Sequence, residues 1–177
     1  MKGKITILLI MSILLVSGCV NQPGEEADDM GSMKLTSTAF GDNGNIPAKY
    51  TCQGEDISPP LGIQAIPGGT KSLVLIMDDP DAPVGTWVHW VLWNISAVPA
   101  IGEDSVPKGA VEGRNSWGSN GYGGPCPPSG THRYMFKLYA LDTELKLGGS
   151  SGKVEVERAM QGHILAQARL TGLYAKK

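Results

Sequence analysis

Two carboxylates, two imidazoles and a phenol fall in three short stretches of this chain, each where an apolar run hands over to a loop. Asp79 and Asp81 lie in Asp78-Asp79-Pro80-Asp81-Ala82-Pro83. His89 begins the run His89-Trp90-Val91-Leu92-Trp93-Asn94-Ile95. His132 and Tyr134 end the stretch from Gly121 to Tyr134, which is rich in Gly and Pro. Imidazole, phenol and backbone N–H groups donate to oxyanions, while carboxylates hold imidazoles or meet cations. Brought to one end of a β-sheet, the set builds a small polar pocket. Each residue alone has a plainer use. Asp in a Pro-bracketed turn bonds its own backbone, a His between Val88 and Trp90 is ordinarily a core residue, and a His after a Pro/Gly loop is an ordinary edge residue.

Enzyme chemistry finds little support. No nucleophile elbow, no Walker loop and no Gly-x-Gly-x-x-Gly after a strand is read. The histidines and cysteines form no His-x-x-x-His or Cys-x-x-Cys pair, so no metal and no cofactor are expected. The chain reads as a binding protein, not an enzyme.

The elements that position these residues begin after the N-terminus. Lys2 and Lys4 precede the apolar run Ile5 to Val16, which is well short of the roughly 20 residues a bilayer span needs, so residues 1–18 read as a signal peptide. The run ends in Leu15-Val16-Ser17-Gly18-Cys19, which looks like a lipobox with Cys19 as the lipidated residue. Residues 19–33 then form an acidic tether with Glu25, Glu26, Asp28 and Asp29 and little to bury. The expected location is the extracytoplasmic face of the cell membrane, through the lipid anchor. Without residues 1–18 the chain has 13 basic against 17 acidic side chains, and the tether holds the whole excess. The remaining domain, 34–177, is neutral with no basic stripe, which leaves nucleic-acid binding without electrostatic support.

That domain has ample material for one core. Its 24 Gly and 12 Pro in the full chain, with ordinary apolar content, predict many turns between short strands. Lys71–Met77, Trp87–Ile95 and His132–Leu141 have strand composition or alternation. Met33–Thr38, the stretch around Ile46–Thr51, and Ala110–Asn115 are weaker strands. Helical spacing marks 153–168, with a last strand from Ala168 to Tyr174. Mostly β with one helix near the C-terminus predicts an antiparallel β-sandwich.

The three motifs, in this order and spacing, resemble the phosphatidylethanolamine-binding protein family, and within it the bacterial and archaeal Raf kinase inhibitor-like branch. The resemblance implies two antiparallel sheets and a shallow pocket for a small anion of phosphate, phosphonate or carboxylate type. It places Asp79, Asp81, His89, His132 and Tyr134 in that pocket, with Trp87 as an apolar wall and the backbone from Gly124 to Cys126 as N–H donor. Eukaryotic members have a longer connection between the first two motifs, bearing a Tyr that closes over the ligand. Here Val84-Gly85-Thr86 bridges the gap, which implies a more open site. Some members are reported to inhibit serine proteases, and the loops Gly113–Gly121 and Ile101–Lys108 are the candidates for such a role. With Cys19 assigned to lipid, Cys52 and Cys126 remain as a pair in an exported domain, and in this fold their segments should run side by side, predicting a disulfide.

Overall fold

The computed structural model describes residues 32–177. The expected signal peptide, Cys19 and nearly all of the tether lie outside the described residues. The tether expectation runs one residue too far, because Met33 is buried in the core.

Nine strands and one helix follow in the order β1 (Lys34–Thr36), β2 (Gly44–Asn45), β3 (Leu61–Gln64), β4 (Ser72–Asp79), β5 (Trp87–Ile95), β6 (Ala100–Ile101), β7 (Val111–Glu112), β8 (Thr131–Leu141), α1 (Lys153–Ala159) and β9 (Ile164–Ala175). They form a three-stranded sheet, β1-β3-β6, and a six-stranded sheet, β2-β9-β8-β4-β5-β7. All pairings are antiparallel except the short β2–β9 contact. The mostly β sandwich with a late helix is the predicted one.

Strand β4 is central and buried along its whole length, which is why it reads as an unbroken apolar run and not an alternation. Leu73, Leu75 and Met77 enter the core between the sheets, beside Trp90, Leu92, Phe136 and Leu138. Val74 and Ile76 enter a second core, with Val91, Trp93, Leu141 and Leu145, roofed by Val156 of α1 and by Met160 just after it. In β8 the alternation holds as predicted: Tyr134, Phe136, Leu138 and Ala140 are buried, while Met135, Lys137 and Tyr139 are half-buried on the outer face.

Strand β5 breaks its alternation twice. Met77 pairs with Trp90 but Asp78 with Val88, so His89 is the extra residue of a bulge. Leu73 pairs with Ile95 and Leu75 with Leu92, a second irregularity at which Asn94 takes φ 54°. Asn94 is tied down by its own side chain. Its amide holds Leu145 at both backbone groups (2.8 and 3.0 Å).

Three expectations need correction. Helix α1 stops at Ala159, not Ala168. Gly162 adopts φ 80°, and from Ile164 the chain pairs with β8 along its full length. Around Ile46–Thr51 the chain makes a 3-10 turn at Ala48–Tyr50 after Pro47, whose missing N–H and fixed φ suit a helical start. Ala110–Asn115 contracts to the two residues of β7. Strands β3 and β6, of four and two residues, carry too little pattern to be read from sequence.

Candidate functional site

A cavity of about 270 Å³ opens where β4, β5 and β8 meet the loops that follow β4 and precede β8. Asp79, Trp87, His89, Cys126, His132 and Tyr134, six of the residues that the family resemblance places in a pocket, line it. Each arrives by a definite route. Asp79 is not in a turn but is the last residue of β4, paired with Trp87 across the sheet. Its neighbour Asp78 therefore points to the opposite face, where Lys137 and Lys153 lie 2.8 and 3.4 Å from its Oδ2. His132 and Tyr134 are alternate residues of β8 and share one face. The bulge in β5 turns His89 to the same face as Trp90. Without it, strict alternation would place His89 with Val91 and Trp93 under α1.

The polar floor is tightly organised. His132 Nδ1 lies 2.7 Å from Asp79 Oδ2, and Asp79 Oδ1 accepts the Asp81 amide at 2.8 Å. His89 Nδ1 lies 2.6 Å from the Gly123 carbonyl, so that nitrogen carries the hydrogen. Burial lowers the His89 pKa, against the opposing pull of that carbonyl and of Asp79, Asp78 and Asp56. Burial therefore favours the neutral ring over the imidazolium. Tyr134 Oη is buried and its hydroxyl hydrogen has no acceptor, while the Cys126 amide is turned towards its oxygen. Its pKa is raised, first by burial and then by the Asp79 charge, while the Cys126 amide pulls it down.

Two predicted site residues stand outside. Asp81 does not line the cavity. Arg133 grips it through Nε (2.9 Å), a terminal nitrogen (2.6 Å) and the backbone amide (2.9 Å). Its pKa falls to about 2, the Arg133 hydrogen bond being the main cause. Gly124 does not donate to a ligand either, since its N–H is held by Asp56 Oδ1 at 2.7 Å. Glycine is required there by close approach: a Cβ would stand 2.6 Å from the Tyr50 carbonyl oxygen and 2.9 Å from Thr51 Cα. Pro125 has no N–H, and the Cys126 N–H is turned on Tyr134 Oη. The predicted Cys52–Cys126 disulfide is formed, with Cα atoms 5.5 Å apart, and it holds the cavity loop to the segment after the 3-10 turn.

Sequence reasoning missed Trp117. Its ring meets Trp87 at 5.3 Å and His89 at 5.1 Å, both edge-on, and half of its surface stays exposed. Asn115 folds the loop back by accepting from Trp117 and Ser119 and donating to Gly121. The Gly113–Gly121 loop is thus a cavity wall, not a detached protrusion. A lone tryptophan in a Gly/Ser/Asn loop was the available signal. Val84, 78% exposed, and Pro83 form the opposite lip, without a closing aromatic. Gly148-Gly149-Ser150-Ser151-Gly152 does spell Gly-x-Ser-x-Gly, against the expectation of no such elbow. It follows a loop and not a strand, and no histidine lines the cavity beside Ser150.

Fold and motif placement define a two-sheet antiparallel sandwich with a cavity at the strand ends, walled by three separate sequence motifs. The chain belongs to the phosphatidylethanolamine-binding protein family, whose model matches residues 36–175. It is 47% identical to a UPF0098 protein of Pyrococcus horikoshii over 100% of this chain and 91% of that one. It is 52% identical to a UPF0098 protein of Methanothermobacter thermautotrophicus over 81% and 99%. Among solved structures it resembles a phosphatidylethanolamine-binding protein homologue from Chlamydia trachomatis (TM-score 0.80, 45% identity, 82% of this chain and 99% of that one). Escherichia coli YbcL is similar at TM-score 0.78 and 33% identity, again over 82% and 99%.

Proposed function

We propose that this protein is a lipid-anchored, extracytoplasmic binding protein whose cavity holds a small oxyanion of phosphoryl or carboxylate type, without catalysing a reaction. The observation that carries the reading is the cavity at the strand ends, where the His89 and Tyr134 rings stand 5.1 Å apart beside the Asp79–His132 pair. Imidazoles and a phenol converging on one cavity suit an oxyanion. The apolar rim, exposed at Val84 and Trp117 and half-buried at Trp87, suits a ligand with a short apolar substituent next to its anionic end, such as a phospholipid headgroup. Cys19, through the lipobox reading, would set this cavity close to a membrane surface.

Calorimetric titration of the full chain with inorganic phosphate at about pH 6 tests the reading. Binding by the wild type and a loss of about tenfold or more in His132→Ala are expected. Identical heats from both proteins would remove His132 from the site.

A further inference from the structure

A second cavity, of about 280 Å³, shares no lining residue with the first. Three carboxylates reach it from separate parts of the chain: Asp56 after the 3-10 turn, Asp104 after β6, and Glu112 of β7. No lysine, arginine or histidine lines it, and among the described residues none of the three carboxylates has an ion-pair partner. Lys49 is spent on Glu103 at 2.5 Å, and Lys108, between Asp104 and Glu112 in sequence, does not line the cavity. Asp56 gives Oδ1 to the Gly124 amide (2.7 Å), and Glu112 gives Oε1 to Trp90 Nε1 (3.2 Å). Asp56 Oδ2, Glu112 Oε2 and both Asp104 carboxylate oxygens accept nothing among the described residues.

Ser58 is a second and independent observation. Its carbonyl accepts the Asp104 amide at 3.0 Å, which sets the two residues side by side. The residue is only 4% exposed, yet its hydroxyl has no hydrogen-bond partner among the described residues. That hydroxyl is not sealed in protein as the Tyr134 hydroxyl is, and the surface it keeps is at this cavity. Trp90 and Tyr122, edge-on with ring centroids 5.6 Å apart, supply the aromatic wall. Unpaired carboxylates beside aromatic rings attract a cation. Among the described residues no three acidic, His or Cys groups converge closely enough to hold a metal ion. Separated acceptors suit a planar cation with several N–H donors better than a point charge.

We infer that this second cavity binds a guanidinium group. Its N–H donors are shared among Asp56, Asp104 and Glu112, with Ser58 Oγ accepting a further one, and its flat, weakly hydrated face and carbon stem lie against Trp90 and Tyr122. The site does not depend on the oxyanion reading, so either can fail without the other.

Calorimetry of the full chain with propylguanidinium, propylammonium and calcium chloride at low ionic strength tests it. Propylguanidinium should bind about tenfold or more tightly than propylammonium, and calcium should not displace it. Glu112→Gln keeps an acceptor for Trp90, Asp104→Asn changes an exposed loop residue, and Ser58→Ala removes the free hydroxyl. Each should weaken propylguanidinium by about threefold or more. Glu144→Gln makes the same change of charge away from the cavity and should leave the affinity intact. Equal binding of the three cations, or an equal loss in Glu144→Gln, overturns the site in favour of general attraction to acidic groups. Absence of propylguanidinium binding overturns it outright. An acetylated and amidated Gly-Arg-Gly peptide then identifies the source. Tighter binding than propylguanidinium assigns an arginine side chain of a partner protein, and weaker or equal binding assigns a free guanidine. Either result upholds the guanidinium site.

Discussion

Asp78, Asp79 and Asp81 stand within four residues, and their surroundings give the three carboxylates different work. Asp78 is buried on the outer face against Lys137, Asp79 orients His132, and Asp81 clamps Arg133 outside the cavity. The Asp81 pKa, lowered to about 2, makes a stability prediction with a definite sign. A carboxylate with a depressed folded pKa stabilises the protein above its unfolded value of about 4, and that stability is lost as pH falls towards 2. Because Arg133 is half exposed, the contribution at neutral pH is about 1 kcal/mol after screening. Asp81→Asn should therefore lower the denaturant midpoint at about pH 7 and leave it unchanged at about pH 2. An equal loss at both would contradict this account. Tyr134 predicts the opposite trade. Tyr134→Phe removes a buried hydroxyl whose hydrogen has no acceptor, so stability should hold or rise by up to about 1 kcal/mol while phosphate affinity falls about tenfold. A variant that unfolds early and binds normally would show that the hydroxyl serves the fold instead.

Strands and loops were unevenly legible. β4 and β8 announced themselves because one is apolar throughout and the other alternates cleanly. β5 was legible as a strand, but not the bulge that aims His89, since one inserted residue leaves no mark on composition. Ile164 and Leu165 fitted a helical spacing and are instead exposed residues of β9, where pairing with β8 overrode the local pattern. Of the predicted site, the strand-borne residues came together. Asp81 and Gly124 did not, because each found a nearer partner, in Arg133 and Asp56, that only the folded chain reveals. The loop bearing Cys126 depends on the disulfide. Its cysteines lie 74 residues apart, and the chain-entropy model assigns closure of a loop that long about 4 kcal/mol. Replacing both by Ser should lower unfolding free energy towards that amount and weaken phosphate binding. Unchanged stability in denaturant melts would mean that the loop is held by its hydrogen bonds instead, Gly124 to Asp56, Tyr122 to Tyr50, Cys52 to Pro125 and Gly123 to His89.

Under the proposed function, the neutral domain binds and the acidic N-terminal segment bearing Cys19 places it. Cys19→Ser should move the protein from the membrane fraction to the soluble fraction after cell lysis, while phosphate affinity stays unaltered. Continued membrane association would end the lipid-anchor proposal. The order of strands in the large sheet has a further consequence, in the time dimension of synthesis. β4 is made early, yet one of its two neighbours, β8, comes more than fifty residues later, and β8 in turn needs β9 at the very end of the chain. A growing chain therefore displays the apolar stretch Leu73–Met77 of β4 until β8 has been made, with about a fifth of the chain still to come, and it cannot close the sheet vectorially. The large sheet is completed around His132 and Tyr134 only when β9, the last strand, pairs with β8.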